Sequence, residues 1–433
     1  MVVLRGVHSS RDYRRRVIDD ELDVLMGGLP AIALEGPKAV GKTATASERA
    51  STVHELDDPD QRSLAEADPG RLLDDPPPVL IDEWQFVPPV WDRVRRAVDD
   101  DPSPGRFLLT GSSSPVQRGT HSGAARIVSL RMRPLALAER LTEPPSVSLA
   151  ELLRGERPAV TGQSGLRLEG YTDEILGSGF PGLRGLPERA LRAQLDAYLQ
   201  RIVDRDFPEL GHVVRNPALL RRWMAAYAAA TATSASFEKI RAAATGGEEE
   251  KPAKTTSQAY RGVLERLFIV DDLPGWQHSR NYIKQLALPP KHHLADPALA
   301  ARLLGANRDR LLKGESPGPS IPRDGTLLGA LFESLVTQSV RVYAQAAEAS
   351  VGHLRTKGGR HEVDLIVERD DGKVVAIEVK LGAVPRNEET KHLTWLAEEL
   401  GDEFLDAVVI TTGRDAYRRS DGIAVVPAAL LGP

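Results

Sequence analysis

The stretch Glu362-Val363-Asp364-Leu365-Ile366-Val367-Glu368-Arg369-Asp370-Asp371-Gly372-Lys373-Val374-Val375-Ala376-Ile377-Glu378-Val379-Lys380 reads as two strands and a tight turn. Residues 362–369 and 373–380 flank Asp370-Asp371-Gly372, which suits a three-residue hairpin loop with glycine in the left-handed position. In that register Asp364 lies opposite Glu378, and Glu362 opposite Lys380. Side chains alternate along a strand, so Asp364, Glu378 and Lys380 share one face. Val363, Leu365, Val367, Val375, Ile377 and Val379 form the other face, wholly apolar and expected as core. Two carboxylate residues opposed across an antiparallel pair have Cβ atoms roughly 5 Å apart, and like charges there destabilise the sheet. A divalent cation between them would remove the repulsion, so the pair reads as a metal site. A solvated sheet face carrying unrelated charges is the competing reading.

Outward from the hairpin, Leu327 to Val336 is an apolar helical run in which Glu333 is a carboxylate that needs a reason. Asp406-Ala407-Val408-Val409-Ile410 follows a helical stretch and can extend the sheet. This order of helix, strands, hairpin, helix and strand resembles the PD-(D/E)XK nuclease superfamily, whose acidic and lysine positions fall on Glu333, Asp364, Glu378 and Lys380. The resemblance implies Mg²⁺ or Mn²⁺ held by Asp364 and Glu378, with Glu333 adding a ligand or orienting a water. Lys380 would position or help deprotonate that water, and the reaction would be phosphodiester hydrolysis.

A second motif lies toward the other end. Ala31-Ile32-Ala33-Leu34-Glu35 reads as a short strand, followed by Gly36-Pro37-Lys38-Ala39-Val40-Gly41-Lys42-Thr43 and the helix-prone Ala44-Thr45-Ala46-Ser47-Glu48. That is GxxxxGK[ST] in its required strand–loop–helix context. Residues Gly36 to Ala44 would wrap the phosphates of ATP, Lys42 reaching the β- and γ-phosphates and Thr43 holding Mg²⁺. The apolar Pro78-Val79-Leu80-Ile81 precedes Asp82-Glu83, with Asp82 as the metal partner and Glu83 as the base for the attacking water. Arg106 to Ser114 is another buried strand that ends in polar residues.

Together these features resemble a family of bacterial and archaeal AAA+ ATPases with a C-terminal PD-(D/E)XK-like domain. The lead-in Tyr13 to Asp19, the segments Gly177 to Gly182 and Tyr198 to Asp206, and Pro290-Lys291-His292-His293-Leu294-Ala295-Asp296 carry the rest of the likeness. It implies a γ-phosphate contact from Thr110 or Ser112, and a homo-oligomer for which Arg126 is a candidate trans-acting finger. It also implies a winged-helix unit with residues 255–267 as recognition-type helix, where Lys254, Thr256, Ser257, Gln258 and Arg261 could meet nucleic acid.

The expected fold class is α/β throughout: a parallel-sheet ATPase domain over 1–140 and a linker over 141–169, then a helical region over 170–312 and a nuclease-like domain over 326–433. Inside the helical region, 242–252 reads as a polar, acidic loop. A chain of 433 residues has room for about three such cores. The absence of cysteine removes disulfides and thiolate metal sites and agrees with a cytoplasmic setting, and no run approaches the ~18 apolar residues of a membrane span. A net charge of −5 gives no global attraction to nucleic acid, so a nucleic-acid partner, DNA ahead of RNA, would need local basic patches. His292 and His293 are adjacent, point to opposite faces, and read as structural. Two functions remain in play: an ATP-regulated metal-dependent nuclease, and an ATP-dependent binding switch with a silent nuclease-like domain.

Overall fold

The computed structural model describes residues 13–113, 124–245, 251–278, 288–356 and 358–433. These form two compact units, one of residues up to Arg133 with Arg266–Phe268, the other of Pro134–Glu265 with Ile269–Pro433.

In the first unit, β1 (Ala31–Glu35), β2 (Thr52–Glu55), β3 (Val79–Asp82), β4 (Phe107–Gly111) and β5 (Val128–Arg131) make a sheet in the order β2-β3-β4-β1-β5. All its pairings are parallel. β1, β3 and β4 are near-continuous apolar runs because a parallel sheet is covered on both faces. One face packs Ala31, Ala33, Val79, Ile81, Phe107 and Leu109 against Trp84, Trp91, Val94 and Val98. β4 lies between β1 and β3, so the polar end of β4 falls beside the acidic end of β3.

The second unit is built on an eight-stranded mixed sheet. Its strands are β7 (Gly162–Gln163), β8 (Gly275–Trp276), β9 (Ser350–Arg355), β10 (Glu362–Glu368), β11 (Val374–Val379), β12 (Phe404–Thr411), β13 (Asp415–Arg418) and β14 (Ala424–Pro427). They run in the order β7-β13-β14-β12-β11-β10-β9-β8. A separate parallel pair joins β6 (Val147–Ser148) to β15 (Leu431–Gly432). The helix Leu327–Ala346 packs on β9, β10 and β11. The helix Lys391–Leu400 covers Ile366, Val374, Ala376 and Val409.

The hairpin forms in the expected register, with Leu365 opposite Ile377 and Val367 opposite Val375. Gly372 has φ +83°, the left-handed conformation its loop position requires. One part of the expected face pattern fails. Val363 packs in the same cluster as Ile366, three positions along, where a regular strand would separate them. The cause is a bulge: on β10 two residues, Asp364 and Leu365, span the gap filled by His353 alone on β9. The remaining members of the predicted core face are buried.

The expected linker over 141–169 is structured. It supplies β6, β7 and the helix Leu149–Leu153, whose Leu149, Leu152 and Leu153 are buried. The helical region likewise contributes β8 to the sheet and belongs to the same compact unit as the hairpin. Pro, Ser and Gly mark short edge strands and their turns as readily as linkers, which is why composition misread the segment. The helix expected at 255–267 spans Lys254–Arg266 and buries Tyr260, Val263 and Leu264. The loop expected over 242–252 starts within the helix Phe237–Ala243, and Gly246–Glu250 lie outside the described residues.

Candidate functional sites

The first site sits at the C-terminal ends of β1, β3 and β4. Gly36 and Gly41 are required by geometry: a Cβ on Gly36 would lie 2.2 Å from the Met132 carbonyl oxygen, and Gly41 has φ +99°. Pro37 and Val40 are buried within the loop, Lys38 is half-buried, and Ala39 (φ +68°) and Ala44 are exposed. Lys42 is 5 % exposed, and its Nζ donates to the carbonyls of Gly36 and Pro37, at 3.0 Å each. Burial pushes its ammonium down to about 8, against the pull of Glu83 and Asp82. Thr43 Oγ1 donates to Asp82 Oδ1 at 2.8 Å, which brings a hydroxyl and a carboxylate together as a Mg²⁺ site needs. Burial raises Asp82, while hydrogen bonds from Thr110 and Thr43 oppose the shift.

Both candidate polar residues of β4 are engaged, in different ways. Thr110 donates to Asp82 Oδ1 and accepts from the Glu83 amide at 3.3 Å, whereas Ser112 donates to Glu83 Oε2 at 2.8 Å. Glu83 has φ +51°, and Gln85 also donates to its Oε2. Gln85 was not singled out in the sequence, nor was Arg16. The Arg16 guanidinium donates to the Val40 and Arg133 carbonyls at 3.0 Å each and so braces the loop. Arg126, the finger candidate, is 42 % exposed along its side chain and pairs with Asp99 at 2.8 Å.

The second site lies in the other unit, on a cavity of about 890 Å³. Glu333, Asp364, Glu378 and Lys380 all line it. Lys380 Nζ stands 2.6 Å from Glu378 Oε2 and 3.7 Å from Asp364 Oδ2. Asp364 Oδ2 also accepts from the Val379 amide at 2.9 Å. No donor among the described residues reaches Glu378 Oε1, although that carboxylate is buried. A fifth residue, Lys291, completes the cluster. Its Nζ is 2.8 Å from Glu333 Oε1, 2.8 Å from Asp364 Oδ1 and 3.6 Å from Glu362 Oε1.

The electrostatics separate the three carboxylates. Burial would raise Asp364, but Lys291 and Lys380 outweigh it and hold the group well below the usual carboxylate range. Burial and the nearby Asp364 charge push Glu378 well up, and the same two causes raise Glu333 to about 7. Burial lowers both ammoniums, yet their carboxylate partners raise Lys291 and Lys380 overall.

Glu333 therefore has a reason to stand in an apolar helix, though a different one from that expected: one of its oxygens is committed to an ammonium. Lys291 stood unassigned in the junction segment, and nothing in the sequence there marked it. Its neighbours, expected to be structural, find separate partners. His292 Nε2 lies 2.7 Å from the Ala235 carbonyl, and His293 Nδ1 lies 3.2 Å from Ser334 Oγ. Arg261, offered as a nucleic-acid contact, is paired with Glu265 at 2.7 Å and Asp272 at 3.4 Å.

The donor chemistry of this second site fits a single Mg²⁺. Among the described residues no three His, Cys, Asp or Glu side chains converge to hold an ion by themselves. Mg²⁺ characteristically uses one or two carboxylates with waters and substrate phosphates, and Asp364 with the unpartnered Glu378 Oε1 supplies such a pair.

Comparison with known proteins gives the following matches. Residues 29–141 match the model of an AAA domain. Residues 168–310 and 328–431 match two models described as domains of unknown function, DUF8612 and DUF4143. The chain is 25 % identical over 409 residues to uncharacterized protein Rv2008c of Mycobacterium tuberculosis (strain ATCC 25618 / H37Rv), covering 92 % of this chain and 80 % of the relative. The same figures hold for uncharacterized protein Mb2031c of Mycobacterium bovis (strain ATCC BAA-935 / AF2122/97). Among solved structures, the Walker-type ATPase PABY2304 of Pyrococcus abyssi is similar at 11 % identity, over 69 % of this chain and 97 % of that chain. Its TM-score of 0.31 is too low to argue from. The AAA match coincides with the P-loop site, and this part of the chain is an AAA-type ATPase domain. No helix among the described residues is long and apolar enough to cross a membrane.

Proposed function

We propose that the chain is a Mg²⁺-dependent ATPase that regulates a metal-dependent phosphodiesterase acting on nucleic acid, with DNA ahead of RNA. The observation that carries the second half is the convergence of Glu333, Asp364, Glu378 and Lys380 on one cavity, with a buried Glu378 oxygen left without a donor. Asp364 and Glu378 would hold the ion, Mg²⁺ or Mn²⁺, which activates water and neutralises phosphate charge. Lys380 presents its ammonium to the same space, where it can hold a water or a phosphoryl oxygen. Exposed Lys239, Arg355 and Lys391 line the cavity and supply the local positive rim that a net-acidic chain needs to draw in a phosphodiester backbone. His361 stacks on Trp395 with ring centroids 3.9 Å apart and lies beside His392 of the cavity wall, a surface suited to an unpaired base.

In the ATPase domain, Thr43 and Asp82 would hold Mg²⁺ and Glu83 would take the proton of the attacking water. Ser112 and Gln85 fix the Glu83 carboxylate in position. Assembly into a homo-oligomer, with Arg126 reaching a neighbouring nucleotide, belongs to the same reading.

The test is cleavage of duplex DNA, single-stranded DNA and RNA with Mg²⁺ or Mn²⁺, each with ATP, ADP or no nucleotide, alongside Lys42→Ala and Asp364→Ala. Cleavage that is lost in Asp364→Ala and altered by ATP or by Lys42→Ala is the expected result. One observation favours a second reading, an ATP-dependent binding switch with a silent centre: Lys291 already pairs with both Glu333 and Asp364. ATP hydrolysis that depends on Lys42, with no cleavage of any substrate, would decide for it.

A further inference from the structure

Lys291 is held more firmly than a surface lysine could be. Its amide and carbonyl exchange two hydrogen bonds of 2.9 Å with Leu273, an isolated antiparallel bridge that fixes the backbone. The side chain is 2 % exposed, and its ammonium faces carboxylates of Glu333, Asp364 and Glu362. An ammonium has three hydrogens to give. Glu362 is shared with Arg355, which reaches it from the cavity rim at 3.5 Å. Three carboxylates, those of buried Asp364 and Glu378 and half-buried Glu333, then stand against two ammoniums, those of Lys291 and Lys380.

We infer that Lys291 is the resident cation of this centre, standing where a second divalent ion would otherwise bind between Glu333 and Asp364. The centre is thereby restricted to one divalent ion, at Asp364 and Glu378. The inference rests on the phosphodiesterase reading above. Charge balance supports it. With all three carboxylates ionised, the state a bound divalent ion favours, they and the two ammoniums leave one negative charge, and the ion together with one phosphodiester brings the whole to neutrality. A second divalent ion would leave two uncompensated positive charges in a buried site, which is costly. Position supports it as well. Paired ions in phosphoryl-transfer sites lie about 3.5–4 Å apart and share a carboxylate. Here Asp364 is the carboxylate placed to be shared, and its Oδ1 is taken by Lys291.

The experiment counts bound ions. The full chain carrying Asp82→Asn, free of nucleotide so that the P-loop site takes up no ion, is titrated with Mn²⁺, and free Mn²⁺ is read by electron paramagnetic resonance. One Mn²⁺ per chain, lost when Asp364→Asn is added, is expected. Lys291→Met should raise the count to two, and Lys291→Arg should keep it at one. Two Mn²⁺ with Lys291 in place, or with Lys291→Arg should Lys291→Met fail to fold, overturns the inference and leaves the phosphodiesterase reading standing. An unchanged count and affinity in a folded Lys291→Met chain overturns it equally. No Mn²⁺ bound by the Lys291 chain removes the metal-dependent reading and the inference with it.

Discussion

Lys291 Nζ and Asp364 Oδ1 stand 2.8 Å apart although 73 residues separate them in the chain. The pair ties a short bridge segment to the bulged strand β10. A buried ammonium with several carboxylate partners is expensive to break from one side, because the partners are left charged and unpaired. In the presence of a chelator, Lys291→Met should cost ~3–5 kcal/mol of stability. Adding Glu333→Gln should recover part of that loss. A double-mutant cycle by denaturant unfolding measures the coupling, and strict additivity would show that Lys291 and Glu333 do not act together.

Nucleotide binding should weaken at alkaline pH. ATP phosphates need the Lys42 ammonium, and burial lowers it to about 8 in the free protein. Below that value the charge is already present. Above it each binding event must take up a proton, so affinity should fall about tenfold per pH unit. Titrating a fluorescent ATP analogue between pH 7 and 9.5 reads this directly, and a flat profile contradicts it.

Glu83→Gln should separate binding from turnover. The hydrogen bonds given for the carboxylate come from Ser112 and Gln85, outside the P-loop, and its pull on Lys42 is through space, so nucleotide affinity should stay within a few-fold of the parent. Loss of the general base should lower hydrolysis by about 10²–10⁴. Phosphate release and equilibrium binding, measured on the same preparation, check both halves.

Gly36→Ala should damage the loop itself. Its new methyl would meet the Met132 carbonyl oxygen at 2.2 Å, and backbone cannot move aside cheaply. Overpacking of this kind costs about 1–3 kcal/mol. Thermal unfolding should therefore shift down together with a loss of ATP binding, whereas Glu83→Gln leaves the unfolding midpoint in place.

Acid should weaken the second unit through His293. Burial, with Lys291 nearby, lowers this imidazole to about 3 from its usual 6.5. Between those values the unfolded chain takes up a proton that the folded chain refuses, so stability rises with pH and is lost as pH falls from 6.5 toward 3. Denaturant midpoints between pH 7.5 and 4.5 should slope less steeply in His293→Asn. Equal slopes would remove His293 from the account.

The legible parts of this molecule were those set by near neighbours. Asp370-Asp371-Gly372 dictates its turn, and the turn dictates the pairing of Leu365 with Ile377. The P-loop announces itself by its residue spacing between strand and helix, and Gly41 answers a local demand with φ +99°, whereas the demand on Gly36 comes from distant Met132. Long-range relations did not show. Lys291 acquires its meaning only when residues 291, 333 and 364 are brought together. The bulge at Asp364 and Leu365 depends on what β9 offers across the ladder, so Val363 was assigned to the wrong face. β6, β7 and β8 are two residues each, too short for any periodicity to mark. A connecting region was read where the chain was threading back into its own sheet.

That threading sets an order of maturation. All strands of the ATPase sheet are made by residue 131, and they pair only with one another. The other sheet recruits Gly162–Gln163 near its beginning, yet it waits for Asp415–Arg418 to give that segment a partner, and Val147 waits for Leu431. Domains fold as units while synthesis proceeds, and distant pairings come late. On the ribosome, the nucleotide site can take shape more than two hundred residues before the carboxylate centre has a sheet to stand on. The strands under the nucleotide site are thus all synthesised before the hairpin that carries Asp364 and Glu378.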